Sequence, residues 1–161
     1  RPAVAALDAV EPFRSVNGYG LFAVMTTDRP EIVLEASDDG VRWEPLHFHW
    51  KPTDVHVGAR SAGLHMPRLD WQLWFASLAG HCQRARWYPR FVERILDGSR
   101  PVRDLMGDDA FRGHPPRYVR STLYDYRFSA RPGTYWERTP RGAFCPTLTR
   151  ENGRLMTVEE R

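Results

Sequence analysis

The sequence predicts an α+β domain: an antiparallel, β-sandwich-like sheet carrying a helical insertion around residues 69–106. Three observations carry that expectation. Apolar residues alternate with polar ones in short runs from Phe13 to Trp50, the period of half-buried strands. Between Leu69 and Leu96 the apolar spacing lengthens to that of helices. From Arg117 to Phe128 strict alternation returns. Strands on either side of a helical block build an antiparallel sheet or sandwich with the helices against one face.

The elements follow in chain order. Phe13-Arg14-Ser15-Val16 alternates and runs into Asn17-Gly18, a strong hairpin-turn pair. Leu21–Met25 is an apolar run of strand length. Glu31–Ala36 is the next strand, with Ile32 and Leu34 on one face, and Ser37-Asp38-Asp39-Gly40 supplies the turn after it. Val41–Trp50 reads as a further strand, Leu46, Phe48 and Trp50 facing one way and His47 and His49 the other. Lys51–Arg68 is a loop bounded by Pro52 and Pro67. A helix is expected from Leu69 to Gly80 with Asp70 in its first turn, where a carboxylate meets the positive end of the helix dipole. A second spans Tyr88–Leu96 and stops at Asp97-Gly98, and a helical turn lies near Val102–Met106. After the loop Gly107–Pro116 comes the strand Arg117–Phe128. A last strand falls at Tyr135–Arg138 or Gly142–Cys145, ahead of a polar tail expected to fray. The domain reading is a linker over 1–11, one domain over 12–148 and the tail over 149–161.

Composition narrows the function classes. The chain has 161 residues, 42% hydrophobic and 27% charged, which suits one folded domain rather than a disordered segment. Twenty-three basic residues against 20 acidic ones give a net charge of +3. Lys51 is the single lysine; the rest are arginines scattered among acids, an arrangement unlike a nucleic-acid-binding run. GC-rich coding explains that skew more simply than selection for arginine. No stretch approaches the roughly 20 apolar residues of a membrane span. Cys82 and Cys145 are the only cysteines. Their spacing forces neither a disulfide nor a metal site, and two free, partly buried thiols are the simpler reading.

A set of short motifs in fixed order resembles the C-terminal domain of the lipase maturation factor family, as a bacterial member. These are Asn17–Phe22, Glu31–Gly40 with Trp43, Lys51-Pro52, Pro67–Ala76, Pro115–Arg120, Leu123–Phe128 and Trp136, which together cover about Pro12 to Leu148. The resemblance implies a domain of a polytopic membrane protein, lying on the non-cytoplasmic (periplasmic) face and assisting folding and assembly of exported clients, a lipase among them. It implies no enzyme activity in this domain and no cofactor. Its membrane contact is through the parent's N-terminal region. The segment His56–Met66 departs from the Asp-Arg-Arg-Pro type of sequence that the family carries after Lys-Pro, so no partner contact is carried over to that loop. More narrowly, the hairpin Glu31–Trp43 is similar to one in discoidin-like, jelly-roll sugar-binding sandwiches, which bears on fold rather than on function. The alternatives to a folding role are a carbohydrate- or lipid-headgroup-binding sandwich and a substrate-positioning domain of a membrane enzyme.

Two groups of residues are candidate binding elements. Arg68, Asp70, Trp71 and Trp74 sit at the start of the first helix. The structural expectation for them is an ion pair at Arg68, backbone capping by Asp70 and core packing of the Trp71, Trp74 and Phe75 cluster; any exposed part would serve as a partner anchor. Arg117, Tyr118, Tyr124 and Tyr126, with Arg120 and Arg127, are similar to the basic and aromatic faces of single-strand nucleic-acid sheets. Asp125, Glu137 and the near-balanced charge speak for arginine–aromatic packing instead, with no nucleic-acid partner. His47 and His49 would need a third ligand such as Asp54, His56 or His65 to hold a metal, and no metal site is expected. Adjacent His81 and Cys82 do not face one another on a helix and form no catalytic pair.

Overall fold

The apolar run Ile32-Val33-Leu34 lies on a strand of the sheet that is buried on both faces. The computed structural model describes residues 27–61, 67–107 and 113–158. In chain order these form β1 (Arg29–Ser37), β2 (Glu44–Pro45), α1 (Arg68–Ala79), a 3-10 turn (Cys82–Arg84), α2 (Tyr88–Leu96), α3 (Arg100–Arg103), β3 (Tyr118–Phe128), β4 (Trp136–Glu151) and β5 (Arg154–Val158). The five strands make one sheet in the order β2-β1-β3-β4-β5, every neighbouring pair antiparallel. The α+β class and the helical insertion are as the sequence predicts. A second sheet, which a sandwich requires, is not present among the described residues. The strands expected at Phe13–Val16 and Leu21–Met25, and the Asn17-Gly18 turn, lie outside them.

One face of the sheet carries the main core. Ile32, Leu34, Val119, Leu123, Phe144 and Leu148 meet Leu69, Leu73 and Ala76 of α1 and Tyr88, Phe91, Val92, Ile95 and Leu96 of α2. Each such fully buried aliphatic or aromatic side chain contributes about 1.5–3 kcal/mol relative to exposure. The other face holds a smaller cluster of Val33, Tyr126 and Trp136, with Val55 and Tyr124 packed against it. Helix α2 ends as its Asp-Gly signal requires: Gly98 at φ 64 turns the chain so that Ser99 N–H donates back to Arg94 O at 3.0 Å.

The outer edge of β1 is closed without a full partner strand. Only Glu35 and Ala36 pair with β2. Leu46 N–H then donates to Leu34 O at 2.8 Å, and the Ser77 hydroxyl of α1 donates to Pro30 O at 2.7 Å. The expected strand Val41–Trp50 is therefore shortened to two paired residues. Its alternation survives as burial from Leu46 to His49, with Leu46 and Phe48 buried and His47 and His49 exposed, but Trp50, expected on the buried face, is exposed. The chain there is extended and packed, but α1 takes the place on the β1 edge that a ladder would use.

At the C-terminal end the two alternative short strands are one continuous β4, and residues expected to fray form a hairpin. Thr147–Glu151 pair with β5, turning through Asn152 and Gly153 at φ 49 and 77. Pro140 and Pro146 sit on the stretch of β4 that β5 leaves uncovered, where a missing N–H costs no ladder bond and discourages edge pairing.

The turn after β1 has a measurable signature. The Asp39 carboxylate accepts the N–H groups of Val41 and Arg42, both at 2.8 Å, and the Ser37 hydroxyl at 3.1 Å. The Arg42 and Val41 amides hold its pKa down at about 2, from 3.8. Because the folded-state value is the lower one, the stabilisation is complete above 3.8 and is lost as pH falls towards 2. The thermal midpoint should fall across that window. In Asp39→Asn, which keeps an acceptor but does not titrate there, the fall should be shallower.

Candidate functional site

The residues singled out in the sequence separate onto two sides of the sheet. On the face away from the helices, β3 presents Tyr118, Arg120, Thr122, Tyr124, Tyr126 and Phe128 in one row, since alternate residues of a strand share a face. The strand register sets Glu35 opposite Arg120 and Arg138 opposite Tyr126. Arg120 Nε donates to Glu35 at 2.8 Å while its guanidinium lies 4.3 Å from the centre of the Trp43 ring. Arg138 covers Tyr124 at 4.8 Å and donates to Tyr126 Oη at 3.3 Å and to Thr53 O at 3.2 Å. Arg117 is exposed and lies 5.8 Å from the Tyr118 ring. This is the arginine–aromatic packing the sequence favours.

The loop after Trp50 covers one end of this face. Tyr126 Oη donates to Thr53 O at 3.4 Å, Trp136 Nε1 donates to Val57 O at 2.9 Å, and Val55 O accepts the amides of Tyr135 and Trp136. Tyr126 is thereby buried, and burial raises its hydroxyl pKa against the smaller opposing pull of Arg138. It is closed to a ligand. The open part of the face is Tyr118, Arg120, Thr122 and Tyr124, each half-buried, beside exposed Arg138. Flat aromatic rings capped by guanidinium groups suit a peptide or another planar or anionic group rather than bond-making chemistry.

Beneath the loop lies a charged pair that the sequence analysis did not single out. Lys51 Nζ contacts Glu31 at 2.5 Å, with the two side chains 3% and 1% exposed. Arg29 Nε approaches the same carboxylate from the surface at 3.2 Å. The single lysine of an arginine-rich chain was the available signal. A compact ammonium fits a buried point contact that the broad guanidinium does not.

The second group lies on α1. Asp70 is buried, and its Oδ1 accepts the N–H groups of Trp50 and Lys51, both at 2.9 Å. It caps backbone amides, as expected, but those of the loop rather than of its own helix, whose first turn has no side-chain cap. Asp70→Ala leaves two donors unpaired and should cost about 2 kcal/mol in urea denaturation; Asp70→Asn, retaining an acceptor, should cost less.

Two structural expectations for α1 are corrected. Arg68 is exposed and forms no ion pair among the described residues. Trp71 and Trp74 are half-buried and Phe75 is 50% exposed, so the cluster is not core. The three rings pack on one another at centroid distances of 5.1–5.4 Å on the outer side of the helix. Helix α1 is apolar nearly all round, and periodicity alone could not tell which side faces inward.

A third correction concerns the cysteines. Cys82 and Cys145 form a disulfide with a Cα–Cα distance of 5.3 Å. The turn after α1 meets β4 only through the tertiary packing of α1 and α2 on the sheet, which no local spacing reports. His47, His49 and Asp54 line a cavity of about 240 Å³ with Trp50, Lys51 and Arg60. His56 Nδ1 is hydrogen-bonded to Gly133 O at 2.9 Å. No group of three metal-ligating side chains gathers among the described residues, and His65 lies outside them.

Comparison with known proteins assigns the domain. Residues 15–146 match the family model of the lipase maturation factor C-terminal domain. The chain is similar to lipase maturation factor 2 of Gallus gallus, 42% identical over 88% of this chain and 21% of that protein. It is 38% identical to lipase maturation factor 2 of Homo sapiens, over 93% of this chain and 22% of that protein. Lipase maturation factor 1 of Bos taurus is 31% identical over 88% of this chain and 27% of that protein. The chain thus spans about a fifth to a quarter of the length of these relatives. No solved structure matches it. With its matched region running from before β1 into β4, the chain belongs to the lipase maturation factor family and carries that family's C-terminal domain.

Proposed function

We propose that this domain belongs to a membrane-anchored protein and assists the folding and assembly of exported clients, a lipase among them, through protein–protein contacts. The observation that carries the reading is the similarity to lipase maturation factors 1 and 2 over 88% or more of the chain. The Cys82–Cys145 disulfide supports a location on the non-cytoplasmic side, since such bonds persist in oxidising compartments. The client surface in this reading is the open sheet face of Arg117, Tyr118, Arg120 and Tyr124. Rigid aromatic rings and arginines are the side chains that dominate protein interfaces.

The test is made in the full-length protein. Tyr118→Ser/Tyr124→Ser removes two rings of that face and leaves the buried Tyr126 and the Glu35–Arg120 pair in place. The expected result is a severalfold fall in active secreted lipase at unchanged levels of the factor. Undiminished lipase activity with a correctly folded double variant would overturn this surface. Failure of the full-length protein to recover any exported protein on cross-linking would overturn the role itself.

A further inference from the structure

We infer that the outer side of α1 docks on a lipid bilayer bearing anionic headgroups. Arg68, Trp71, Phe75 and Leu78 recur three or four residues apart, with Trp74 beside them, and so form one stripe along the helix. Phe75 is 50% and Leu78 41% exposed, while the opposite side of the same helix, Leu69, Leu73 and Ala76, is spent on the core. A helix that is apolar on both sides has one side without a partner among the described residues.

The charge of the segment selects the occupant. From Arg68 to Arg90 the one acid is Asp70, and it is buried under the loop amides. Arg68, Arg84, Arg86 and Arg90 of the same segment are exposed and have no ion-pair partner among the described residues. Aromatic and leucine side chains sharing a stripe with Arg68, in a segment whose exposed charges are all basic, match the boundary between acyl chains and anionic headgroups. A soft surface accepts an apolar helix side about 15 Å long without shape complementarity, whereas a protein partner would need a surface shaped to match it. Arg68, at the N-terminal end, can extend its guanidinium to the headgroups while its stem stays with the rings.

The inference needs neither a client nor a parent protein, so its test fails or succeeds apart from the folding role. The 161-residue chain is sedimented with phosphatidylcholine vesicles and with mixed phosphatidylcholine–phosphatidylglycerol vesicles at low ionic strength. Binding to the mixed vesicles is expected. It should weaken about tenfold in Trp71→Ser/Trp74→Ser/Phe75→Ser, through loss of buried apolar area. In Arg68→Gln it should weaken about fivefold, the worth of one cation near the surface. Brominated acyl chains should quench the tryptophan fluorescence of the wild-type chain and quench Trp71→Phe/Trp74→Phe less, although that variant still binds. The thermal midpoint of each variant checks folding. If the triple variant does not fold, Phe75→Ser/Leu78→Ser, at the two most exposed positions, takes its place. Absence of binding to the mixed vesicles overturns the inference. Binding that the stripe variants leave unchanged does the same. So does a solution dimer that those variants dissolve, which would make a second copy the occupant. A stripe whose loss spares vesicle binding but abolishes client capture would belong to a protein partner, again against the inference.

Discussion

Replacing Lys51 by Met should destabilise the chain by about 3–5 kcal/mol, among the largest effects of any single substitution in it. The reason is what the change leaves behind. Glu31 is 1% exposed and Lys51 3%, so neither charge is shared with water. Met fills much of the volume of the lysine stem but supplies no cation. The carboxylate keeps only Arg29, which is 43% exposed and reaches it from the solvent side. Urea denaturation reads the loss as a lower midpoint at unchanged slope. The double variant Glu31→Gln/Lys51→Met separates two explanations. If the cost is an orphaned buried charge, the double variant should recover most of it, because removing both members of a buried pair is often near neutral. If Lys51 acts by filling space around the loop, the double variant should be as unstable as the single one. The pair also fastens the loop across the sheet face that carries Tyr124 and Tyr126, so its loss should loosen the candidate site before it unfolds the core.

How much of this was legible in the sequence depends on what each signal reports. Tyr88–Leu96 and Tyr118–Phe128 were readable nearly to the residue, because one buried side and strong periodicity point to a single answer. Val41–Trp50 shows the limit of alternation: it reports the buried side chains Leu46 and Phe48 but not that Trp50 turns outward, nor whether the backbone finds a ladder. There, α1 and Ser77 occupy the edge a partner strand would need. In β4 the prolines at 140 and 146 and Gly142 broke the pattern into two short pieces. The structure tolerates them because that edge has no neighbour among the described residues.

The candidate site was legible in part for similar reasons. The row from Tyr118 to Tyr126 follows from period two, and its arginine partners on β3 were visible. Trp43, Glu35 and Arg138 were not, because strand register and a turn bring them there. On α1 the sequence marked Arg68, Asp70, Trp71 and Trp74 as one group. Packing divides it, with Asp70 inside on the loop amides and the rings and Arg68 outside. A helix with two apolar sides carries no sequence mark saying which of them meets its own core.

Removing the disulfide should cost about 4 kcal/mol, the worth of closing a loop between residues 63 apart in the unfolded chain. Both cysteines belong to the buried core, Cys82 at 9% and Cys145 at 7% exposure. Reduced thiols in those places still pack as small apolar groups. The loss therefore falls on the unfolded state, which gains freedom, rather than on native contacts. That origin gives two linked expectations for Cys82→Ala/Cys145→Ala: a lower urea midpoint, and a slope that rises because the released unfolded chain exposes more surface. A lower midpoint with a slope that falls would instead point to a native state already loosened at the junction of α1 and β4. Burial adds a kinetic consequence. Dithiothreitol should reduce the bond slowly under native conditions and rapidly in denaturant, since the reductant must wait for the core to open. Against a total stability of about 5–15 kcal/mol for a domain, a loss of about 4 leaves a fold that persists at room temperature but with little margin. Material made in a reducing compartment should then melt lower than the oxidised form, and oxidation of the purified protein should restore the difference.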